Sequence, residues 1–408
     1  MRVELIIAWL FLKFTHSQLF PCPERCQCYS DQETHNYVHL VCKWEQLNST
    51  VLDTLARPDL IRTLTIRCSY LGHQVSNPST HLFRELSSLE RLELDRCRVK
   101  NVPGTFFAGL TQLYSLIMKK AALDDLPRNI FDYIPKLMTL DLSNNQLRME
   151  PFGIRNLKNL IHLDLSNNNI TFLTNTLVGL TNLRVLTLNN NQIGNIDFRR
   201  FPEGLTDLSI RNNRINNVHY VSQVVRNLKR LDLAGNRLQF IAGSSSGAVN
   251  VLPPSLRHLD LSNNQINYIQ DGSFQVMETL GLLDLQNNSL SELKQSALKG
   301  PKELKVLLAE NPFQCHCSTR WIIKSDKESK IDVADSGAVM CTSIIDSDLR
   351  ILLEVAEKRN QLMCRYKNMC EANCSCCENK DCECRFECPN ECTCYRSYNT
   401  SDEKVNLY

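Results

Sequence analysis

The chain has 408 residues, 43% of them hydrophobic, with 46 basic against 44 acidic side chains and 19 cysteines. That length can bury a large core, and so even a charge balance gives no support for a nucleic-acid partner, which needs a basic stripe. The sequence holds no GxSxG, HExxH or phosphate-loop motif and its histidines are scattered, so no enzyme class, cofactor or metal is implied.

Arg2, the apolar run from Leu5 to Leu12 and the small-residue exit at Thr15-His16-Ser17 form a secretory signal peptide over residues 1–17. The apolar run is far shorter than the ~20 residues a bilayer span requires. No other stretch is long enough to span, so the chain as written is expected to be secreted. Next come Cys22, Cys26, Cys28 and Cys42, as CPERCQC and a fourth cysteine fourteen residues on. A pair of disulfides here would close off one end of a core, each contributing ~2–4 kcal/mol.

From residue 61 to 310 the sequence repeats. LIHLDLSNNNITFL (Leu160–Leu173) fits LxxLxLxxNxL, and copies start near Ile61, Leu89, Leu113, Leu137, Leu183, Leu205, Leu228, Leu256 and Leu280. Leu163 and Leu165 alternate with Asp164, so the leucines face inward on a short strand and the aspartate faces out. The second half of a unit, clearest in LPRNIFDYIPKL, sends Leu126, Phe131 and Ile134 back into the core. Asn145, Asn168, Asn191, Asn213, Asn236, Asn264, Asn288 and Asn311 recur where the chain leaves the strand. A buried amide at that point can bond backbone groups of the next coil. This pattern is the leucine-rich repeat signature. It implies an α/β solenoid, a curved horseshoe with a parallel β-sheet on its concave face, in which stacked coils make the core that one coil cannot.

The breaks in the pattern individualise the chain. The first three repeats carry Ser69, Cys97 and Ala121 in place of ladder asparagines, on strands TIRCS, ELDRC and IMKKA. Arg67, Glu93, Asp95, Arg96, Ile117, Lys119 and Lys120 there form a mixed surface suited to a protein ligand. The bland alternative is a set of irregular coils near an end. Asp141, Asp164, Asp232, Asp260 and Asp284 share one outward strand position and read first as a solvated consensus face. Cys68 and Cys97 lie on neighbouring strands one register position apart, which leaves both a bridge and two separate buried thiols open. GSSSGAVNVLPPS (residues 243–255) is an inserted loop, and ELKVLLAEN fits the strand register poorly, as expected where stacking stops. Sequons stand at Asn48, Asn169, Asn287, Asn373 and Asn399. A glycan on Asn287, at a strand exit, would obstruct the later coils and direct a ligand to the earlier ones.

The four early cysteines resemble the N-terminal cap of extracellular leucine-rich repeat proteins, which implies pairs Cys22–Cys28 and Cys26–Cys42. NPFQCHC with Trp321, Cys341 and Cys364 resembles the C-terminal cap of the same superfamily. That implies Cys315–Cys341 and Cys317–Cys364, with the tryptophan packed on the last coil. Ten cysteines fall from Cys364 to Cys394. The run CxCC-x4-CxC (Cys374, Cys376, Cys377, Cys382, Cys384) after Cys370, then CPxxCxC (Cys388, Cys392, Cys394), resembles the multiple-cysteine ectodomains of invertebrate Toll receptors. There a C-terminal cap is followed directly by a new N-terminal cap, and counting fourteen from Cys394 reaches Tyr408, so the expected fourth cysteine of that cap is missing.

The resemblance implies domains at 18–60 (N-terminal cap), 61–310 (repeats), 311–364 (C-terminal cap), 365–387 (cysteine-rich segment) and 388–408 (an incomplete second cap). It implies a receptor module binding a Spätzle-like cystine-knot cytokine in immune or developmental signalling, with receptor dimerisation a further partner interaction. Placement at the cell surface would require the gene product to continue past Tyr408. The rival readings are a secreted Slit-like adhesion, guidance or matrix protein, and a soluble decoy.

Overall fold

The structure, a computed structural model, describes residues 22–30, 37–45, 47, 52, 55, 57–69, 82–219, 225–242, 251–315, 317–323, 330–342 and 350–358. The predicted signal peptide, Asn48, Asn373, Asn399, Cys364 and the cysteines from Cys370 to Cys394 lie outside them, as does most of the predicted inserted loop. The chain forms two compact units, Met1–Asp232 and Leu233–Tyr408. Each is a parallel β-solenoid.

In the first unit β1 (Cys26–Ser30) and β2 (Val38–Trp44) form an antiparallel cap hairpin. Then follow β3 (Ile61–Cys68), β4 (Arg91–Asp95), β5 (Ser115–Lys119), β6 (Thr139–Asp141), β7 (His162–Asp164) and β8 (Val185–Thr187). After these come β9 (Asn195–Asp197), β10 (Asp207–Ser209), β11 (Asn217–His219) and β12 (Arg230–Asp232). β2 to β8, β10 and β12 pair in parallel, one per coil, while β9 pairs with β11 on the returning segments. Leu64, Leu92, Leu116, Leu140, Leu163, Leu186, Leu208 and Leu231 stand directly opposite one another along the sheet. All are buried. A one-residue slip would turn this whole column to solvent, so the leucine pattern fixes the register. On the returning segments Phe83, Phe106, Phe107 and Phe131 form a buried aromatic stack with centroids 4.9–6.4 Å apart.

The ladder asparagines bond backward rather than forward. Asn168 Oδ1 accepts from the Leu147 N–H at 3.0 Å, and its Nδ2 donates to the carbonyls of Leu142 (3.1 Å) and Leu165 (3.0 Å). The expectation of contacts with the next coil is thereby corrected. The side chain of a residue leaving the strand reaches the preceding coil, where strand-exit groups would otherwise be unpaired. The asparagine before each ladder position has a separate task. Asn144, Asn167, Asn190 and Asn212 all have φ between 55° and 59°, a left-handed turn that asparagine tolerates better than most residues.

The second unit contains β13 (Phe240–Ile241), β14 (His258–Asp260), β15 (Tyr268–Ile269), β16 (Leu282–Asp284), β17 (Leu304–Leu307) and β18 (Phe313–Gln314). β19 (Ile331–Val333), β20 (Met340–Thr342), β21 (Arg350–Leu352) and the short helix α1 (Leu353–Lys358) complete it. The ELKVLLAEN segment is in register, contrary to expectation. Val306 lies opposite Leu283, and β17 pairs on its far side with β19. Only the leading leucine of the motif is lost, to Glu303, while Val306, Leu308 and Asn311 keep the inward positions. Beyond it Cys315 is bridged to Cys341, and Trp321 Nε1 donates to the Leu293 carbonyl at 2.9 Å.

Candidate ligand-binding face

Two rows of side chains on the outer face of the first unit's sheet carry the early-repeat residues. One is Arg67–Asp95–Lys119, alternating in charge across β3, β4 and β5. The other is Thr65–Glu93–Ile117–Asp141–Asp164, continuing to Thr187, Ser209 and Asp232. Neighbouring strands lie ~4.8 Å apart, so the charges sit close enough to act on one partner. Arg67, Arg96 and Lys120 are exposed, and Glu93, Asp95, Ile117 and Lys119 half-buried.

The rows are tied together. Lys119 Nζ is 2.8 Å from Asp141 Oδ2, and that carboxylate holds the ammonium above its usual range. Arg96 is 3.8 Å from Asp95, and Thr65 Oγ1 donates to Glu93 at 3.4 Å. Arg96 and Lys120 occupy the left-handed exit positions that asparagine takes in later coils, with φ of 60° and 54°. Two long cations are thereby presented at the sheet margin.

Cys68 and Cys97 are bridged, with Cα atoms 4.9 Å apart. Register alone sets Arg67 against Asp95, leaving Cys97 one position beyond Cys68. The left-handed Arg96 between them turns the chain back and closes the gap, a device strand alternation does not reveal. At the cap, Cys22 is bridged to Cys28 and Cys26 to Cys42. The cap and early-repeat bridges therefore bracket β2 to β4, where the candidate face begins.

The aspartate column has a structural task. Oδ1 of Asp141, Asp164, Asp260 and Asp284 accepts the backbone N–H two residues on, at 2.8–3.0 Å. These carboxylates cap strand exits, so a consensus column does not require a basic ligand. A cluster not singled out from the sequence lies further along. Arg211 Nε donates to Asp232 at 3.0 Å, while Ser209 Oγ donates to Asn189 at 2.7 Å. LSIRNN replacing LDLSNN is the signal that marks it. The sequons Asn169 and Asn287 are exposed, and Asn287 Nδ2 donates to Asn263 Oδ1 at 2.8 Å. No helix among the described residues is long and apolar enough to cross a membrane.

Comparison with known proteins agrees with this geometry. The leucine rich repeat family pattern matches residues 87–147, 148–193 and 254–311. Toll-like receptor 7 of Drosophila melanogaster is 28% identical over 211 residues, covering 49% of this chain and 14% of that protein. Trophoblast glycoprotein of Mus musculus is 33% identical over 120 residues, covering 29% of this chain and 27% of that protein. The chain thus spans well under half the length of these relatives. Among solved structures, the Drosophila Toll–Spätzle complex superposes with a TM-score of 0.59 at 21% identity, covering 74% of this chain and 42% of that one. At that identity the likeness is one of fold.

Proposed function

We propose that this chain, a leucine-rich repeat module of the Toll-like ectodomain type, binds a secreted protein ligand through the outer sheet face of its first repeats. Binding rather than catalysis is the role of such modules. The observation that carries the reading is the alternating row Arg67–Asp95–Lys119 beside Glu93 and Ile117, flanked by Arg96 and Lys120. Opposite charges in fixed order around a half-buried apolar residue suit a protein surface, because they set orientation and exclude wrong partners. The finer proposal is a Spätzle-like cystine-knot cytokine. Its support is the Toll-like cysteine run, together with a solved relative described as a complex with Spätzle.

The same reading keeps the caps at 18–60 and 311–364, the repeats at 61–310, and the cysteine-rich segments at 365–387 and 388–408. It also assigns all the cap cysteines to disulfides, with Cys317 paired to Cys364. A glycan on Asn287 would cover part of the sheet face of the second unit and leave that of the first as the open one.

The test measures the affinity of the full chain for a dimeric Spätzle-type cytokine by surface plasmon resonance. The double reversal Arg67→Glu/Lys119→Glu should weaken binding about tenfold or more, largely through lost charge complementarity. Lys305→Glu, an exposed reversal on β17, should leave binding unchanged, as should Asn287→Gln. An unaltered affinity in the double variant, or a loss in Lys305→Glu instead, would remove the early repeats from the interface.

A further inference from the structure

We propose that the first unit carries a second binding site, on the returning segments away from the ligand-binding sheet, and that it takes a linear sulfated polysaccharide. The overall charge is nearly balanced, but here it is not. The 3₁₀ turn Phe152–Asn156 exposes the Phe152 ring, over which two guanidinium groups lie, Arg128 at 4.9 Å and Arg155 at 4.8 Å from the centroid. Neither arginine has a carboxylate partner among the described residues. The ring fixes both while leaving their N–H groups free to meet an anion.

Beside them is an open depression of about 440 Å³, lined by Arg155, Lys158 and Asn175 among others. Two more follow along the same side, of about 510 and 470 Å³, sharing Asn175 with the first or Arg199 and Arg200 with each other. Four cations line this trough, Arg155, Lys158, Arg199 and Arg200, with Arg128 beside it, and the one carboxylate among its described lining residues is Asp197. Asp197 and Arg199 neutralise each other, because Arg199 grips the carboxylate through Nε (2.9 and 3.1 Å) and Nη2 (2.8 Å), which leaves Arg155, Lys158 and Arg200 as the trough's net positive charge. Glu150 lies beneath the surface, buried and engaged by Thr174.

The spacing and the neutral groups select the polymer. The cations come from separate coils, Arg155 and Lys158 from one and Arg199 and Arg200 from the next but one, with Phe172 and Asn175 supplied by the coil between, so they are spread along the trough rather than clustered. Asn195 and Asn217 line the last depression with Phe172, whose side chain is 51% exposed. Amides suit hydroxyls, and an open aromatic face suits the C–H face of a pyranose ring, whereas a peptide anchor wants a closed recess. The disulfides place the molecule where polysaccharide sulfates are the available polyanion.

The probe is heparin, immobilised, with the full chain in the Asn169→Gln background because that sequon lies three residues before Phe172. We expect retention above physiological salt. Arg155→Glu/Lys158→Glu should weaken binding at least about tenfold and reduce the slope of log affinity against log salt by about two, as for two lost ionic contacts. Phe172→Ala should weaken binding with the slope unchanged. Lys302→Glu, at an exposed lysine already paired with Glu278, should change neither. Melting curves matching the parent show that the variants fold. An unchanged affinity in the double reversal overturns the proposal. So does equal binding of desulfated heparin, or stronger competition, per charge, from poly-glutamate, phosphatidylserine vesicles or an oligonucleotide.

Discussion

Asn167 and Asn168 are identical in sequence and opposite in task. Asn168 is 5% exposed and serves the preceding coil as both acceptor and donor, whereas exposed Asn167 supplies only a left-handed turn, with φ of 55°. Asn168→Ala leaves the Leu147 N–H without its acceptor, at a cost of ~1–3 kcal/mol, while the Leu142 and Leu165 carbonyls keep the amides of Asn145 and Asn191 as donors. Asn167→Gly keeps the turn and should shift stability by no more than about 0.5 kcal/mol. Hydrogen exchange checks the difference, because the Leu147 amide should lose protection in the first variant and retain it in the second. A pH prediction also belongs to single residues. The hydrogen bond from Arg199 holds the Asp197 carboxyl below its ordinary range and the guanidinium above its own. A depressed carboxylate stabilises the fold above its unfolded value of about 3.9, and that contribution is lost as pH falls through the lower folded value. Thermal melts at acid pH should therefore show Asp197→Asn losing less stability than the parent over this window.

At the scale of elements, the first repeat strand of the first unit and the last repeat strand of the second are met by different devices. The first is a hairpin that donates β2 as a parallel neighbour to β3. In the second unit, Leu308 and Ala309 have no following coil of the repeat type to receive their N–H groups, and the Asp335 carboxylate accepts both at 2.7–2.9 Å. It also accepts from Gln286 Nε2 at 3.0 Å. In the preceding coil the equivalent N–H groups have other acceptors, Leu285 donating to the Leu307 carbonyl and Gln286 to Asp284 Oδ1. Asp335→Ala should expose that row and lower stability by ~1–3 kcal/mol, while Asp335→Asn, which retains an oxygen acceptor, should cost less. Amide exchange at Leu308 and Ala309 is the measurement; unchanged protection in the alanine variant would mean that water replaces the carboxylate. The Cys68–Cys97 bridge belongs to this scale too. It joins β3 to the exit of β4 where neither coil has a ladder asparagine, so a covalent link stands where the amide is absent.

For the molecule as a whole, the repeats were legible because within each unit a leucine column must stay buried from coil to coil. Alternation and the Asn–Asn turns follow from that demand and can be read from the chain alone, as can the cysteine spacings. The continuation of stacking through ELKVLLAEN was missed because losing one leading leucine matters less than keeping Val306, Leu308 and Asn311 inward. The basic trough was hidden because its cations are scattered from Arg128 to Arg200 in a chain whose charges nearly cancel. The sequence by itself determined the solenoid class, the coil period, the inward residues and the surface that departs from consensus. Tertiary structure alone decided the closure of Cys68 on Cys97, the backward reach of the ladder amides, the capping by Asp335 and the gathering of distant cations along one side. Local pattern dictates what each coil must bury. Contacts between coils, separated by more than twenty residues of chain, decide what the buried framework brings together on its surface.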